Sequence, residues 1–469
     1  MDGFPTSPMH RRKWLGQAAC GFGSLALAGM VKGAANPLAS KNPPLIPRAK
    51  RVIFLFMQGG PSQVDSFEPK EALQKRSGEK LKFFYPRTGK HQDMTLYGSP
   101  WEFQNYGETG FPVSSLFPNI AKHVDDICFL HGMQTEGVAH GPSTLFLHTG
   151  ATNLIRPSMG SWIMYGLGTE NENLPGFISL SAPPTKGGPR NYGNAFLPAD
   201  YQGTVIGRAG FPAEKATIEH LSNSMLTPEE QRKQFDFLQK LNHSQIAKNR
   251  AENDSNLDAV INSFELAYRM QSSAPDVLDI SSESPETLKL YGIGEKETDN
   301  YGRQCLLARR FAESGVRYIQ VNYSDNKATP MWDQHSNLPK HADHAKATDK
   351  PVAGLLADLK ARGLLEDTIV WWGGEFGRTP YSQGKDGRDH NPRGFTVWMA
   401  GGGFKPGFKY GQTDEFGAEA VTGKVHMHDL HATVLHQLGL DHEQLTYRYA
   451  GRDFRLTDVY GRVVKEVLV

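Results

Sequence analysis

Apolar positions in this chain come in short unbroken runs rather than in alternation with polar ones. In RVIFLFMQGG (51–60), an apolar stretch from Val52 to Met57 ends at Gln58 and two glycines. A run of that length bounded by glycines fits a strand buried on both faces of a parallel sheet. Similar runs recur at ICFLHGM (127–133), GFISL (176–180), VRYIQVNY (316–323), DTIVWWGG (367–374) and FTVWMAGGG (395–403). Helical periods lie between several of them. In TDKPVAGLLADLKARG (348–363), Val352, Leu355, Leu356 and Leu359 fall on one face. Thr348 is the expected cap, Pro351 suits the first turn and Gly363 ends the helix. Strands alternating with helices predict an α/β fold, a mostly parallel central sheet flanked by helices.

Residues 214–273 depart from that pattern. They are charged, poor in strand formers and helical in period, with Pro228, Glu229 and Glu230 as a first turn after Thr227. The expectation is a helical hairpin inserted into the α/β domain. KNPPLIPRAK (41–50) reads as a Pro-rich linker. The predicted organisation is therefore a leader at 1–40, a linker at 41–50, and one domain at 51–469 carrying the insertion.

The leader has Arg11 and Arg12, then Trp14 and Leu15, then a Gly/Ala/Leu-rich stretch to Val31. It is shorter and less apolar than a membrane span, and the small residues at 33–35 offer a cleavage site. The pattern resembles a twin-arginine (Tat) export signal, implying a periplasmic or extracellular protein with no membrane span in the mature chain. Charge adds one exclusion. With 51 Lys and Arg against 50 Asp and Glu, there is no electrostatic ground for nucleic acid as a partner. Of the three cysteines, Cys20 lies in the leader; Cys128 and Cys305 either pair or stand as separate buried thiols. A thiolate metal site is excluded by their number.

Ligands of an open parallel sheet bind beyond the carboxyl ends of its strands. There the sequence concentrates its acids and imidazoles: Asp65 in GGPSQVDSFEPK, Asp333 and His335 in MWDQHSN, Glu375 and Arg378 in GGEFGRTP, Asp389 and His390 in GRDHNPRG. HMHDLHATVLHQLGLD adds His426, His428 and His431, with Asp429 as the expected cap of a helix ending at Gly439. Mixed Asp, Glu and His donors suit a divalent ion such as Zn²⁺, Mn²⁺ or Ca²⁺.

Together with RRKWL, HGPSTLFLHTG (140–150) and RPSMGSW, these segments run in order along nearly the whole chain. In them the chain resembles the exported DUF1501 family of the alkaline phosphatase/sulfatase superfamily. The resemblance implies an alkaline-phosphatase-like fold and one or two divalent ions. Asp333, His335 and His390 would hold the first, with Asp389 beside them. Asp65 and Glu375 would serve a second, although Gly59 or Gly60 stands where the superfamily has its early Asp. Phe376 stands where it has a His, which leaves that second site incomplete. His140 occupies the position of the superfamily's nucleophile, where Cys, Ser or Thr is usual. A histidine there can attack, bind metal or move a proton, and Ser143 is the next candidate. Thr144 replaces an expected Arg, so Arg156 or Arg378 would supply the cation, Arg378 as a clamp for anionic oxygens. The implied function is an exported metal-dependent hydrolase of phosphate or sulfate esters, acting on a small molecule or a glycan. The alternative is a catalytically silent relative that binds an anionic glycan or a partner protein.

Overall fold

The computed structural model describes residues 36–469 apart from 217, 219–224, 249–254 and 328. Residues 1–35 of the expected leader, with Arg11 and Arg12, lie outside the described residues. The chain folds as a mixed α/β protein around a nine-stranded sheet. Its strands, in chain order, are β1 Arg51–Met57, β2 Ile127–Gln134, β3 Phe177–Ala182, β4 Thr204–Arg208, β5 Tyr318–Tyr323, β6 Thr368–Gly373, β7 Phe395–Ala400, β8 Phe408–Tyr410 and β9 Val425–His426. The spatial order is β8-β2-β7-β6-β1-β5-β3-β4, with β9 also beside β2. Only β7 runs against the others. The six apolar runs of the sequence are six of these strands. Strands β4, β8 and β9 carry no such run.

Alternation along β1 explains the two cores. Ile53, Leu55 and Met57 face one side with Leu306 and Phe311 of helix Asp299–Glu313 and Val352 and Leu356 of helix His341–Ala361. Val52, Phe54 and Phe56 face the other with Trp162 of helix Met159–Leu167 and Leu430 and Val434 of helix Met427–Gln437. Successive strand side chains point to opposite faces, so an unbroken apolar run requires cover on both. Each fully buried Leu, Ile or Phe contributes roughly 1.5–3 kcal/mol, which fixes β1 at the centre of the sheet.

Two local expectations change. The helix expected to begin at Thr348 begins at His341, two turns earlier. Thr348 Oγ1 bonds back to the His344 carbonyl at 2.9 Å. Asp349 instead reaches across to the backbone N–H groups of Asn119 (2.8 Å) and Ile120 (2.7 Å). HADHAKA (341–347) contains no helix breaker, so the helix extends through it, and Pro351 sits in its interior. In helix Met427–Gln437 the cap is His426, not Asp429. Asp429 is the third helical residue and accepts the His426 N–H at 3.0 Å.

Helices Pro228–Lys248 and Ser255–Leu278 fall in the 214–273 segment expected to be helical, the second running past its end. Phe235 and Tyr268 stack between them at 5.8 Å. Cys128 and Cys305 are both free and buried. Among the described residues, no helix is long and apolar enough to cross a membrane. Two hairpins complete the surroundings of the site: Gly377–Gln383 with Gly387–Asn391, and Lys80–Tyr85 with Lys90–Thr95.

Candidate metal centre

His140, Asp333, His335 and His390 converge beyond the carboxyl end of the sheet, their ligand atoms all within 4.8 Å of one another. Among the described residues they are the group that could hold a metal ion. Asp333 follows β5 on a loop that packs onto the turn after β1. Gly59 in that turn has φ +112°, and a Cβ there would lie 2.7 Å from the Trp332 nitrogen and 2.8 Å from that of Asp333. Only glycine permits this approach. His140 opens helix His140–Thr149, and His390 comes from the second strand of the 377–391 hairpin.

One oxygen organises the cluster. Asp333 Oδ1 lies 2.8 Å from His335 Nε2, 3.1 Å from His140 Nε2, 3.2 Å from His390 Nε2 and 2.9 Å from Arg378 Nη2. The other ring nitrogens face acceptors: His140 Nδ1 the Glu375 carboxylate at 2.6 Å, His390 Nδ1 the Val138 carbonyl at 2.8 Å, and His335 Nδ1 the Gln383 side-chain oxygen. A proton on each Nδ1 leaves three Nε2 lone pairs turned inward. His335 Nε2 and His390 Nε2 are then 3.0 Å apart. His140 Nε2 is buried without a hydrogen bond of acceptable geometry. Lone pairs facing each other and a carboxylate oxygen repel unless a cation sits among them. Metal-binding histidines are oriented in this way, through an acceptor on the second nitrogen.

Electrostatics follow the same layout. Asp333 is half-buried, which opposes its charge, yet the three imidazoles and Arg378 hold its carboxyl far below the usual range. Burial lowers His390 to about 4, against the pull of Asp333 and with help from Arg378 and His140. For His140 burial disfavours the cation, but Asp333 and Glu375 outweigh it and raise the pKa.

The remaining expected residues stand outside the cluster. Glu375 is fully buried behind His140, accepting the Gly59 N–H at 3.0 and 3.1 Å. Asp65 faces Arg388 in a buried two-point pair, Nε to Oδ2 at 2.7 Å and Nη2 to Oδ1 at 3.0 Å. Ser62 Oγ also donates to it. Asp389 accepts from Tyr85 and Arg87, each at 2.9 Å, and its Oδ1 lies 3.6 Å from His335 Nδ1. Asp65 and Glu375 are therefore not brought together as a second site. A Cβ at Gly60 would strike the Phe376 carbonyl at 2.7 Å and its ring at 2.8 Å, and that ring stacks on His390 at 4.3 Å.

Arg378 does not stand free as an anion clamp. It is wholly buried, and its donors go to the carbonyls of Gly59, Gly60, Trp332 and Arg388 and to Asp333. It positions Asp333. Arg156 stacks on Phe454 at 4.2 Å. Ser143 Oγ is buried with no partner. His428 and His431 bond the carbonyls of Gly150 (3.0 Å) and Leu147 (2.8 Å), closing the end of the helix that His140 opens. Gln383, Tyr85 and Arg87 carried no sequence signal; the two hairpins bring them in from far along the chain.

The family described as "Protein of unknown function (DUF1501)" matches residues 49–468. No curated protein matches the sequence. Similar solved structures include Ps i-CgsB in complex with a neocarrahexaose, at 12% identity over 85% of this chain and 73% of that one, TM-score 0.36. The lipoteichoic acid synthase LtaP from Listeria monocytogenes is 8% identical over 90% of this chain and 78% of its own, TM-score 0.36. A mutant of TAB5 alkaline phosphatase with Mg bound is 10% identical over 76% of this chain and 92% of its own, TM-score 0.31.

Proposed function

The chain belongs to the DUF1501 family, and we propose that it is a metal-dependent hydrolase of phosphate or sulfate esters, exported by its leader. One observation carries this reading: three histidines bound through Nδ1 turn Nε2 onto a single oxygen of Asp333. Tetrahedral Zn²⁺ with bonds of ~2.0–2.1 Å has ligand atoms roughly 3.3 Å apart, close to the 2.8–3.2 Å around Asp333 Oδ1. Three imidazoles and one carboxylate suit Zn²⁺ or Mn²⁺; Ca²⁺ prefers an all-oxygen shell. A divalent ion held there would supply Lewis acidity toward an ester oxygen. The rest falls to the protein. Glu375 fixes the tautomer of His140, Asp333 neutralises charge, and Arg378 holds Asp333 in place. With Nδ1 held by Glu375 and Nε2 turned onto Asp333 Oδ1, His140 serves as a ligand and not as the attacking group. His335 has a side chain 32% exposed and marks the direction of substrate entry.

The closed count of four protein donors favours a second reading, a binding protein that keeps the ion without turnover, since structural zinc sites are closed in this way. Metal analysis of the purified protein, followed by assay of an aryl phosphate and an aryl sulfate, separates the two. The expected result is one divalent ion per chain with turnover of at least one ester. Asp333→Ala should lose the ion and the stability that the ion confers. Protein that binds no ion after incubation with Zn²⁺ or Mn²⁺ would refute the site; an ion without turnover would select the second reading.

A further inference from the structure

Arg378 is spent inside the fold and Thr144 stands where an arginine was expected, so an anionic substrate needs another cation. The tip of the 80–95 hairpin offers one. Arg87 lies in the turn between its strands, exposed, with Nη2 2.9 Å from Asp389 Oδ1 and 3.4 Å from Nδ1 of His390. Tyr85 anchors the same tip by donating to the other oxygen of Asp389 at 2.9 Å. Lys90, the cross-strand partner of Tyr85, is exposed, and no carboxylate pairs with it among the described residues. The nearby Arg393 pairs with Glu419 at 2.7 Å and lies over Phe84; Arg87 is likewise paired, with Asp389, but that pair sets it beside His390.

We propose that Arg87, with Lys90 beside it, binds the anionic group of the substrate next to the metal centre, which selects phosphate or sulfate monoesters. This rests on reading the cluster as a metal site that acts on anions. A guanidinium presents donors in a planar fork that matches tetrahedral oxyanions, and one partly exposed edge of Arg87 is enough to use it. Its link to Asp389 places the fork beside His390 and on the side of the solvent-facing His335. Lys90 adds a positive charge that no carboxylate among the described residues offsets, while the charge of Arg87 is shared with Asp389.

The test measures calorimetric binding of inorganic phosphate and inorganic sulfate to the metal-loaded full-length mature protein, with metal content checked for every variant. Arg87→Gln should weaken binding of the preferred anion about tenfold to a hundredfold at unchanged metal content. Arg87→Lys should recover part of it, and Lys90→Gln should cause a smaller loss. Where an ester is turned over, KM should rise in Arg87→Gln by a larger factor than kcat falls. Binding equal to wild type in the Arg87→Gln, Lys90→Gln double variant overturns the proposal, as does a wild type that binds neither anion. Loss of metal in Arg87→Gln also overturns it, assigning Arg87 to holding Asp389. Because anion binding is read without turnover, a wild type that binds phosphate through Arg87 but hydrolyses nothing removes the hydrolase reading and leaves this one standing.

Discussion

Asp65→Asn distinguishes a buried ion pair from a metal ligand. Asp65 and Arg388 are both fully buried, joined at 2.7 and 3.0 Å, and Arg388 also donates to the carbonyls of Thr379 (3.1 Å) and Gly98 (3.4 Å). Removing the carboxylate charge leaves the guanidinium buried without its counter-ion. Breaking one side of such a pair costs about 3–5 kcal/mol. For a chain of this size, at about 1 °C per kcal/mol, the thermal midpoint should fall by about 3–5 °C. The assay is thermal unfolding with metal and after chelation, beside metal content. A structural pair predicts the same drop in both conditions and full metal occupancy. The double change Asp65→Leu, Arg388→Met should recover much of the loss, because apolar replacement of both partners removes the unpaired charge. If Asp65→Asn loses metal, and its destabilisation vanishes in the chelated protein, Asp65 is a ligand and the ion-pair argument is wrong.

Stability should fall on acidification below pH 6.5. Burial lowers His131 to about 4 and both His148 and His431 to about 3, so the unfolded chain takes up protons that these folded rings refuse. Their contribution is complete above the unfolded pKa of about 6.5 and is lost as pH falls toward 3–4; a denaturant midpoint unchanged between pH 7 and pH 5 would contradict this. Phe376→His should leave metal content at one ion per chain, because Gly59 and Gly60 supply no partner side chain, and a second ion bound stoichiometrically would show that the ring alone blocks that site. Changing Arg11 and Arg12 together to lysine should leave uncleaved precursor in the cytoplasm, and normal export of that variant would rule out the twin-arginine reading.

The strands were readable because burial on both faces writes itself as composition. Val52 to Met57 is apolar throughout, and all six of its side chains are buried. Edge strands need no such run, so Thr204–Arg208 and Val425–His426 carried no signal. Helix starts were less readable because a capping residue and a residue with a tertiary partner look alike. Thr348 and Asp349 suggest an N-terminus, yet Asp349 serves the backbone of Asn119 and Ile120, more than 200 positions away.

The site divides along the same line. His335 lies two residues from Asp333, and His390 follows on a strand paired with Arg378, so local sequence brings these groups close to one another. Asp65 and Glu375 were placed at the right edge of the sheet, but an edge does not determine where a carboxylate points. Glycine at 59 and 60 settles it: the backbone turns tightly enough for the Gly59 N–H to take Glu375, and Asp65, five residues past the turn, meets Arg388. Whether a carboxylate becomes a ligand or a counter-ion thus depends on which cation reaches it first. Arg388 is 323 positions from Asp65, a distance over which a single sequence holds no pattern to read. The hairpin at 80–95 is the extreme case, since its contact with the site rests on Tyr85 and Arg87 meeting one carboxylate, Asp389, that the sequence had assigned to metal.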